Sequence, residues 1–368
     1  MMIPVKTNII AAAAIVFFVS YFITSAQDTE KPPVVLEHAK ILTNKLIRGE
    51  RVKELIDSVR ITRGDMIIDC NYAVQFEQLG RILFEQDVHY SDSTRDLWAD
   101  RITYFVDEDS LLAEGSVKTV QELYEGYCNV ANYSNDRENI YMFQKVKLIK
   151  SDEGVVLTGR RGFGDKTMEY AWVAGDAHMV KTDTLGGTEI TIDAEKIEFF
   201  NKESMALATD SVEVLKDDVK ANSDTLEYYS AEKYALLYSD PVVFRGLDEM
   251  RGDSIYLYSV EESIDRIEIY GHASALSAPE FGAGGDFNRM YGRSIVIRMR
   301  EGKIDHIVVT GNASSLYYLF EDEEPKGVNK ATGDRIDLSF LEGKLETIRV
   351  IGGSEGTYYP ADYPGIIE

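Results

Sequence analysis

Ala99-Asp100-Arg101-Ile102-Thr103-Tyr104 is one copy of a pattern that recurs along the whole chain of 368 residues. A small residue precedes a polar one, and apolar residues then occupy alternate positions. The other clear copies are Ala194-Glu195-Lys196-Ile197-Glu198-Phe199, Ser223-Asp224-Thr225-Leu226-Glu227-Tyr228, Gly252-Asp253-Ser254-Ile255-Tyr256-Leu257, Gly292-Arg293-Ser294-Ile295-Val296-Ile297 and Gly333-Asp334-Arg335-Ile336-Asp337-Leu338; weaker copies begin at Cys70, Cys128 and Thr158. The second residues stand at 71, 100, 129, 159, 195, 224, 253, 293 and 334, so the interval is 29 to 41 residues. Such a period predicts one supersecondary unit stacked on itself.

Each repeat reads as two strands followed by a sharp bend. Apolar residues alternate, as at Ile295 and Ile297, which is the period of a strand with one buried face. A turn such as Glu301-Gly302-Lys303 joins the two strands, and a small-residue break such as Gly311-Asn312-Ala313 follows in the second. Nine copies predict 18 strands, and helical periodicity is confined to residues 36–56. The sequence therefore predicts an elongated all-β fold.

Residues 1–26 have the form of a secretory signal. Lys6 precedes the run 9–23, which is apolar apart from Ser20, and Thr24-Ser25-Ala26 offers a small-residue cleavage site. The alternative is an uncleaved membrane anchor, although the run is short for a span of about 20 residues. The predicted organisation is a signal at 1–26, an N-terminal segment and linker at 27–60, and a single repeat domain at 61–368.

Charge and cysteine content narrow the possible functions. The chain has 39 basic and 63 acidic residues, a net charge of −24 spread along its length. Nucleic-acid binding is therefore not expected, because a phosphate backbone requires a basic stripe. The acids are interpreted as the water-facing residues of the strands. Cys70 and Cys128 occupy matching positions two repeats apart, about 10 Å if each repeat adds strands at a spacing near 4.8 Å, so two free buried thiols are predicted.

No pattern of catalytic or metal-binding residues is present. His38, His89, His178, His272 and His306 are scattered, without zinc spacing, and His272 and His306 are expected to face solvent from strands. The stretch 159–167 resembles a phosphate loop but has Asp165 where that loop requires lysine. The glycine-rich stretch 282–286 is interpreted as a bulging loop. The sequence thus predicts a protein that is not an enzyme and has no cofactor or metal.

The repeat resembles the organic-solvent-tolerance (OstA-like) repeat. Ala99-Asp100-Arg101-Ile102-Thr103-Tyr104 followed by Gly115-Ser116-Val117 has its form, and Gly311-Asn312-Ala313 is similar to its Gly-Asn-Val break. The likeness covers about residues 60 to 360; Arg293 and Gly159 depart from it. The family includes periplasmic lipopolysaccharide-transport proteins: the soluble bridge, the subunit tethered to the inner membrane, and the N-terminal domain of the outer-membrane translocon.

The resemblance implies a V-shaped, open β-jellyroll whose two stacked sheets enclose a groove for acyl chains. It implies a periplasmic carrier or bridge for lipopolysaccharide or a related glycolipid in outer-membrane assembly, tethered to the inner membrane if the signal is retained. Other jellyroll domains would add to its edge strands, and its ends would lie near membranes. The residues expected to face the groove are Ile197, Phe199, Leu226, Tyr228, Ile255, Leu257, Ile267, Ile269, Ile295, Ile297, Ile307, Val309, Ile336, Leu338, Ile348 and Val350.

Three alternatives remain open from the residues. The inward residues could seal a dry core that binds nothing. The chain could instead be an exported β-solenoid that binds or degrades polysaccharide, which would require aromatic platforms and a carboxylate cluster on an outer face. A structural envelope protein or adhesin would need no groove at all.

Overall fold

A computed structural model describes residues 31–47, 49–134, 138–183, 186–260, 263–279, 287–321, 324–342 and 344–363. From Val34 onward the described residues form one compact unit, and the predicted signal lies outside the described residues. Every regular element in the described ranges is a β-strand, as the alternating pattern predicts.

In chain order the strands are β1 Val35–His38, β2 Ile41–Ile47, β3 Glu50–Arg63, β4 Met66–Phe76, β5 Arg81–Ser91, β6 Asp96–Phe105, β7 Ser110–Gln121, β8 Tyr124–Ser134, β9 Asn139–Lys150, β10 Val155–Gly164, β11 Tyr170–Thr182 and β12 Thr188–Phe200. They continue as β13 Met205–Lys216, β14 Val219–Tyr229, β15 Tyr234–Tyr238, β16 Val242–Arg245, β17 Asp248–Arg251, β18 Ser254–Val260, β19 Ser263–Ser277, β20 Asn288–Arg300, β21 Lys303–Glu321, β22 Glu324–Leu341, β23 Lys344–Ile351 and β24 Glu355–Pro360.

The strands form an antiparallel meander in which each long strand pairs with the next. Four long strands are interrupted at their centre: β1 and β2 lie end to end along β3, β15 and β16 along β14, β17 and β18 along β19, and β23 and β24 along β22. The 24 strands therefore make 20 bent strands. The 18 predicted strands correspond to β4 through β24, and β1 to β3 supply the other two.

Residues 36–56 form strands rather than the helix that their periodicity suggests. That prediction was wrong, because this stretch forms β1, β2 and the first half of β3. The sheet thus begins at Val35, within the stretch assigned to a linker. Ile41 pairs with Ile56 and Leu55 with Ala73, so the stretch is part of the ladder. β1 and β2 form the end of the stack, where almost every side chain is exposed, so their residues do not show the alternation of a strand with one buried face.

Every second bent strand has two adjacent residues with positive φ at its centre. In β7 these are Gly115 (φ 76°) and Ser116 (φ 48°), and both lie opposite the single residue Asp100 of β6. Two residues opposite one make a β-bulge, which bends the strand sharply. The bend divides each strand into an arm in half-sheet A, such as residues 101–105 of β6, and an arm in half-sheet B, such as residues 96–98.

The two half-sheets face each other across one apolar core. Tyr90 of half-sheet B meets Tyr133 of half-sheet A edge-on, with ring centroids 5.7 Å apart. Arg63 of half-sheet B donates from Nη1 to the Tyr104 hydroxyl of half-sheet A at 2.7 Å. The result is an elongated V in cross-section, with the bends at its apex and the hairpin turns at its mouth.

The polar second residue of the motif is explained by the bend. A Cβ atom on Gly115 would lie 2.2 Å from Oδ2 of Asp100, so the motif side chain occupies the space next to the bulge. The weak fourth copy was placed one residue too early. Arg160, rather than Gly159, lies opposite the bend and pairs with Asp176 at 2.5 Å, while Gly159 pairs in register with Val146.

Cys70 and Cys128 lie on the inner face as free, buried thiols. Burial raises the pKa of each to about 11, so that near pH 8 only about one thiol in a thousand is ionised. We expect iodoacetamide to leave the folded protein unmodified and to label both residues after unfolding in urea, as measured by intact mass. Labelling of the folded protein within minutes would contradict the burial of both thiols.

Candidate functional site

The sixteen residues predicted to line a groove all lie on the inner face of half-sheet A, in two rows. The row next to the bends, the apex row, comprises Ile197, Leu226, Ile255, Ile269, Ile295, Val309, Ile336 and Val350. The row next to the turns, the mouth row, comprises Phe199, Tyr228, Leu257, Ile267, Ile297, Ile307, Leu338 and Ile348.

The two rows differ in what they can contact. The apex residues apart from Val350 are at most 1% exposed and pack as an ordinary core. Six residues of the mouth row border cavities; they are Phe199, Tyr228, Leu257, Ile267, Ile297 and Ile307. Only the mouth row is therefore placed to meet a ligand.

The inner face of half-sheet B also lines the core, and its residues were not among those predicted. Val212, Val214, Val219 and Ala221 are typical of it, and all four are buried in the same core. The signal was present in the sequence, since Val212 and Val214 alternate directly after the break at Asp210-Ser211. The smaller side chains of this half-sheet made its apolar pattern weaker.

Polar side chains bridge the mouth of the V. The turns of half-sheet B send Arg63 to the carbonyl of Val106 (2.6 Å), Lys150 to Oδ1 of Asn201 (3.3 Å) and Arg245 to the carbonyl of Gly302 (2.5 Å). Gln121 likewise donates to the carbonyl of Lys166. These contacts join two edges that no strand pairing connects, so opening the mouth would break side-chain hydrogen bonds rather than a ladder.

Three interior cavities follow one another along the mouth. The first, of about 50 Å³, lies beneath Arg95 and Lys150. The second, of about 280 Å³, lies between Tyr228 and Lys181, and the third, of about 40 Å³, lies beneath Arg245. Each has apolar walls and at least one cation at its rim.

The second cavity has the most strongly charged rim. Lys181 lies 2.9 Å and Lys216 3.7 Å from opposite oxygens of Glu189, and both lysines are largely buried. Interaction with Glu189 helps to raise the pKa of Lys181 above its ordinary value even though burial lowers it, so Lys181 is charged at neutral pH. Lys233 also lines this cavity, and Glu153 and Asp183 join Glu189 there, so three cations and three carboxylates balance at this rim in a protein that is acidic overall.

Arg95 is the most deeply buried cation of the first cavity, with 3% of its surface exposed. Its Nε and Nη2 donate to Oε1 of Gln121 at 3.2 and 2.6 Å, and its guanidinium lies 4.7 Å from the centre of the Tyr133 ring. Burial lowers its pKa, chiefly through desolvation. Asp92 in the same turn is occupied by other donors, including Thr94 and the hydroxyls of Tyr90 and Tyr133.

Aromatic side chains form a strip on the outer face of half-sheet A. One part stacks Phe163 on Trp172 at 6.0 Å, and another stacks Tyr229 on Tyr234 at 4.7 Å. Carboxylates accompany it: the hydroxyl of Tyr229 donates to Glu227 at 2.8 Å. The polysaccharide alternative requires both of these features.

The residues considered for other chemistry have structural roles. His89, His178 and His272 pair across strands with Asp96, Asp193 and Asp253 at 2.7, 2.7 and 3.0 Å, and the side chain of His272 is 92% exposed. Asp165 accepts the backbone N–H groups of Thr167, Glu169 and Tyr170, so the stretch resembling a phosphate loop is a strand end and turn. Within the described ranges no three His, Cys, Asp or Glu side chains form a metal site. Residues 282–286 lie outside those ranges.

The fold is thus a repeat-built open β-jellyroll of two facing half-sheets. No protein-family model and no curated protein matches the sequence. Among solved structures the chain is similar to LptH of Pseudomonas aeruginosa, described as the LptA-homologous periplasmic component of the conserved lipopolysaccharide transport device. The match has a TM-score of 0.30 and 14% identity, and it covers 39% of this chain and 95% of that one. In the described part of the chain, no helix is long and apolar enough to cross a membrane.

Proposed function

We propose that this protein is a non-enzymatic periplasmic carrier of lipopolysaccharide or a related acylated glycolipid. The observation that carries the proposal is the mouth row, an apolar surface bordered by successive cavities with cations at their rims. Acyl chains would enter between the half-sheets while the head group stays at the rim. Each methylene removed from water contributes about 0.8 kcal/mol, so the chains need no specific contact.

A protein of net charge −24 would repel an anionic lipid, so the charges at the mouth, where the lipid would enter, matter for the proposal. Outer-face acids such as Glu198, which pairs with Lys196 at 2.8 Å, are one part of this charge. At the second cavity three lysines stand beside three carboxylates, so the rim carries no excess of acid. Solvent and salt screen charges beyond about 8–10 Å, so a phosphate at this rim would meet the balanced local charges rather than the net charge of the whole chain. The lysines could donate to it there.

The ends of the stack support a bridging role. β1 and β2 pair only with β3 among the described strands, and they expose Ile41 and Leu46. β23 and β24 similarly end the other side. An open strand edge with exposed apolar residues can accept another strand. We infer that further jellyroll domains add at these edges, which would bring the ends of the assembly to the two membranes.

The test uses two adjacent tyrosines on opposite faces of β14. Tyr228 borders the second cavity and Tyr229 lies on the outer face. We expect Tyr228→Asp to lose most of the glycolipid that the wild-type protein carries when purified from a lipopolysaccharide-bearing host. The new carboxylate would have to lose its hydration when acyl chains cover the mouth, and it would repel phosphates. Tyr229→Asp should retain the glycolipid. Native mass spectrometry measures the loading, and far-UV circular dichroism checks the fold of both variants.

Two outcomes of this test would contradict the proposal. Equal loading of both variants, or a bare mass for the wild-type protein, would refute carriage in the mouth. A bare mass would leave a sealed β-solenoid as the better description of the interior.

The outer aromatic strip favours a second candidate, polysaccharide binding. Aromatic faces stack on sugar rings, and Glu227 beside Tyr229 could accept sugar hydroxyls. This function predicts the reverse of the first: Tyr229→Asp weakens retention on a polysaccharide column, whereas Tyr228→Asp does not.

A further inference from the structure

Arg95 is a buried cation with unused hydrogen-bonding capacity. Its Nη1 has no partner, and Oγ1 of Thr119, which lines the same cavity, has none either. Both side chains are more than nine-tenths buried. Among the described residues Arg95 forms no ion pair; its closest polar partner is the neutral amide of Gln121. The carboxylates of Asp92 and Asp165 act on this charge electrostatically, but neither pairs with the guanidinium. A buried cation so placed is stabilised when a ligand completes its hydrogen bonds.

Glycine and methionine contribute to the wall of this cavity. Gly126, Met142 and Met168 line it, and Gly162 and Gly164 lie on the inner face beside the two methionines. Met142 and Met168 fill part of the vacated space: a Cβ on Gly126 would lie 3.3 Å from Sδ of Met142, and one on Gly164 would lie 2.7 Å from Sδ of Met168. Methionine is flexible and polarisable, so these side chains can move aside for a chain-like ligand.

We propose that this cavity binds the carboxyl end of a single acyl chain, a long-chain fatty acid, with Nη1 of Arg95 and the hydroxyl of Thr119 donating to the carboxylate. Two free donors match a carboxylate, whereas a phosphate would bring more acceptors than they satisfy. Of the other charged residues that line the cavity, Lys150 is paired with Glu153, and Glu125 is a carboxylate that would oppose a second anionic charge. The present volume of about 50 Å³ suits the head of the ligand, and displacement of Met142 and Met168 makes room for the chain.

The first experiment is calorimetric titration of the full chain, stripped of lipid, with palmitate and with hexadecanol below their aggregation limits. We expect palmitate to bind at one site per chain and at least tenfold more tightly than hexadecanol, which has the same chain without the charge. No palmitate binding, or equal affinity for both compounds, would overturn the proposal, and the cavity would then hold water only.

Variants locate the site. Arg95→Gln should reduce palmitate affinity at least tenfold and leave hexadecanol affinity unchanged. Thr119→Val, which keeps the side-chain shape, should reduce palmitate affinity several-fold. Arg101→Gln is the control, because Arg101 pairs with Glu85 on the outer face. Unchanged palmitate affinity in Arg95→Gln would place binding elsewhere and refute the site.

A measurement on the wild-type protein covers the case in which Arg95→Gln does not fold. The resonance of [1-13C]palmitate bound to the protein should remain that of the carboxylate to a lower pH than in phospholipid vesicles, because a neighbouring guanidinium favours the charged form. If the bound palmitate were protonated at the same pH as palmitate in vesicles, contact with Arg95 would be refuted. Since this test concerns palmitate and Arg95, its failure leaves the glycolipid test at Tyr228 unaffected.

Discussion

Leu338→Asp is expected to unfold much of the sheet rather than merely to empty a groove. Leu338 has no exposed surface and lies in register with Ile307 on one side and Ile348 on the other. A carboxylate there would have no partner in an apolar layer, and such changes cost about 4 kcal/mol or more. That is a large part of the roughly 5–15 kcal/mol that stabilises a folded domain. Urea unfolding followed by far-UV circular dichroism measures the loss.

The matched control is Ser339→Asp, one residue further on. Ser339 is on the opposite face of β22, where Asp337 already stands, and its hydroxyl lies 3.4 Å from Nδ1 of His306. We expect a change within about 0.5 kcal/mol for this surface substitution. A midpoint for Leu338→Asp equal to that of Ser339→Asp would mean that the inner face at this point is wet. Loss of lipid in Leu338→Asp alone would not identify a groove, whereas loss in a folded Tyr228→Asp variant would.

The periodicity of the motif was sufficient to predict the strands. Because a side chain alternates between faces with a period of two, Ile295 and Ile297 could be assigned to one face without a structure. Pairing confirms that Ile295 and Val309 are neighbours in a continuous apolar row. The predicted position of the motif was wrong only in the fourth copy, by one residue. There Arg160 replaces the motif acid, and the preceding residue, Gly159, was mistaken for it.

The cavity at Arg95 could not be predicted in the same way. Arg95, Thr119 and Met168 are separated by two turns of the repeat and belong to different strands or connections, and nothing local marks them as neighbours. Their meeting depends on how half-sheet A is displaced along half-sheet B. The glycine at 126 was visible in the sequence, but its meaning depends on Met142 in the adjacent strand.

The distribution of charge also required the folded chain. The sequence gives a net charge of −24 without showing which faces the acids occupy. In the structure Glu268 pairs with Arg266 on the outer face at 3.1 Å, while at the mouth Lys150 stands beside Glu153 and Arg245 beside Asp248. An acidic exterior keeps a long β-sheet protein soluble, and a mouth with balanced charges repels anionic lipid less than that exterior does.

Gly271→Ala is expected to have the largest effect among substitutions at the apex. Gly271 has a φ of 69°, and a Cβ atom there would lie 2.0 Å from Oδ2 of Asp253. The left-handed conformation alone costs a residue other than glycine about 1–2 kcal/mol, and the overlap adds about 1–3 kcal/mol of packing strain. We therefore expect a clear fall in the urea midpoint, measured by circular dichroism.

Two further variants separate these causes. Gly246→Ala carries the backbone cost alone, because Gly246 has a φ of 59° and no atom within 4 Å of the added Cβ position. In the background Asp253→Gly, the change Gly271→Ala should cost no more than Gly246→Ala, since the side chain it meets has been removed. If Gly271→Ala were as mild as Gly246→Ala in the wild-type background, the approach of Asp253 to the bend would not be what selects glycine. The polar residue of the motif would then act through its outward hydrogen bonds, such as the one that Asp253 accepts from Nδ1 of His272 at 3.0 Å, rather than by filling the apex.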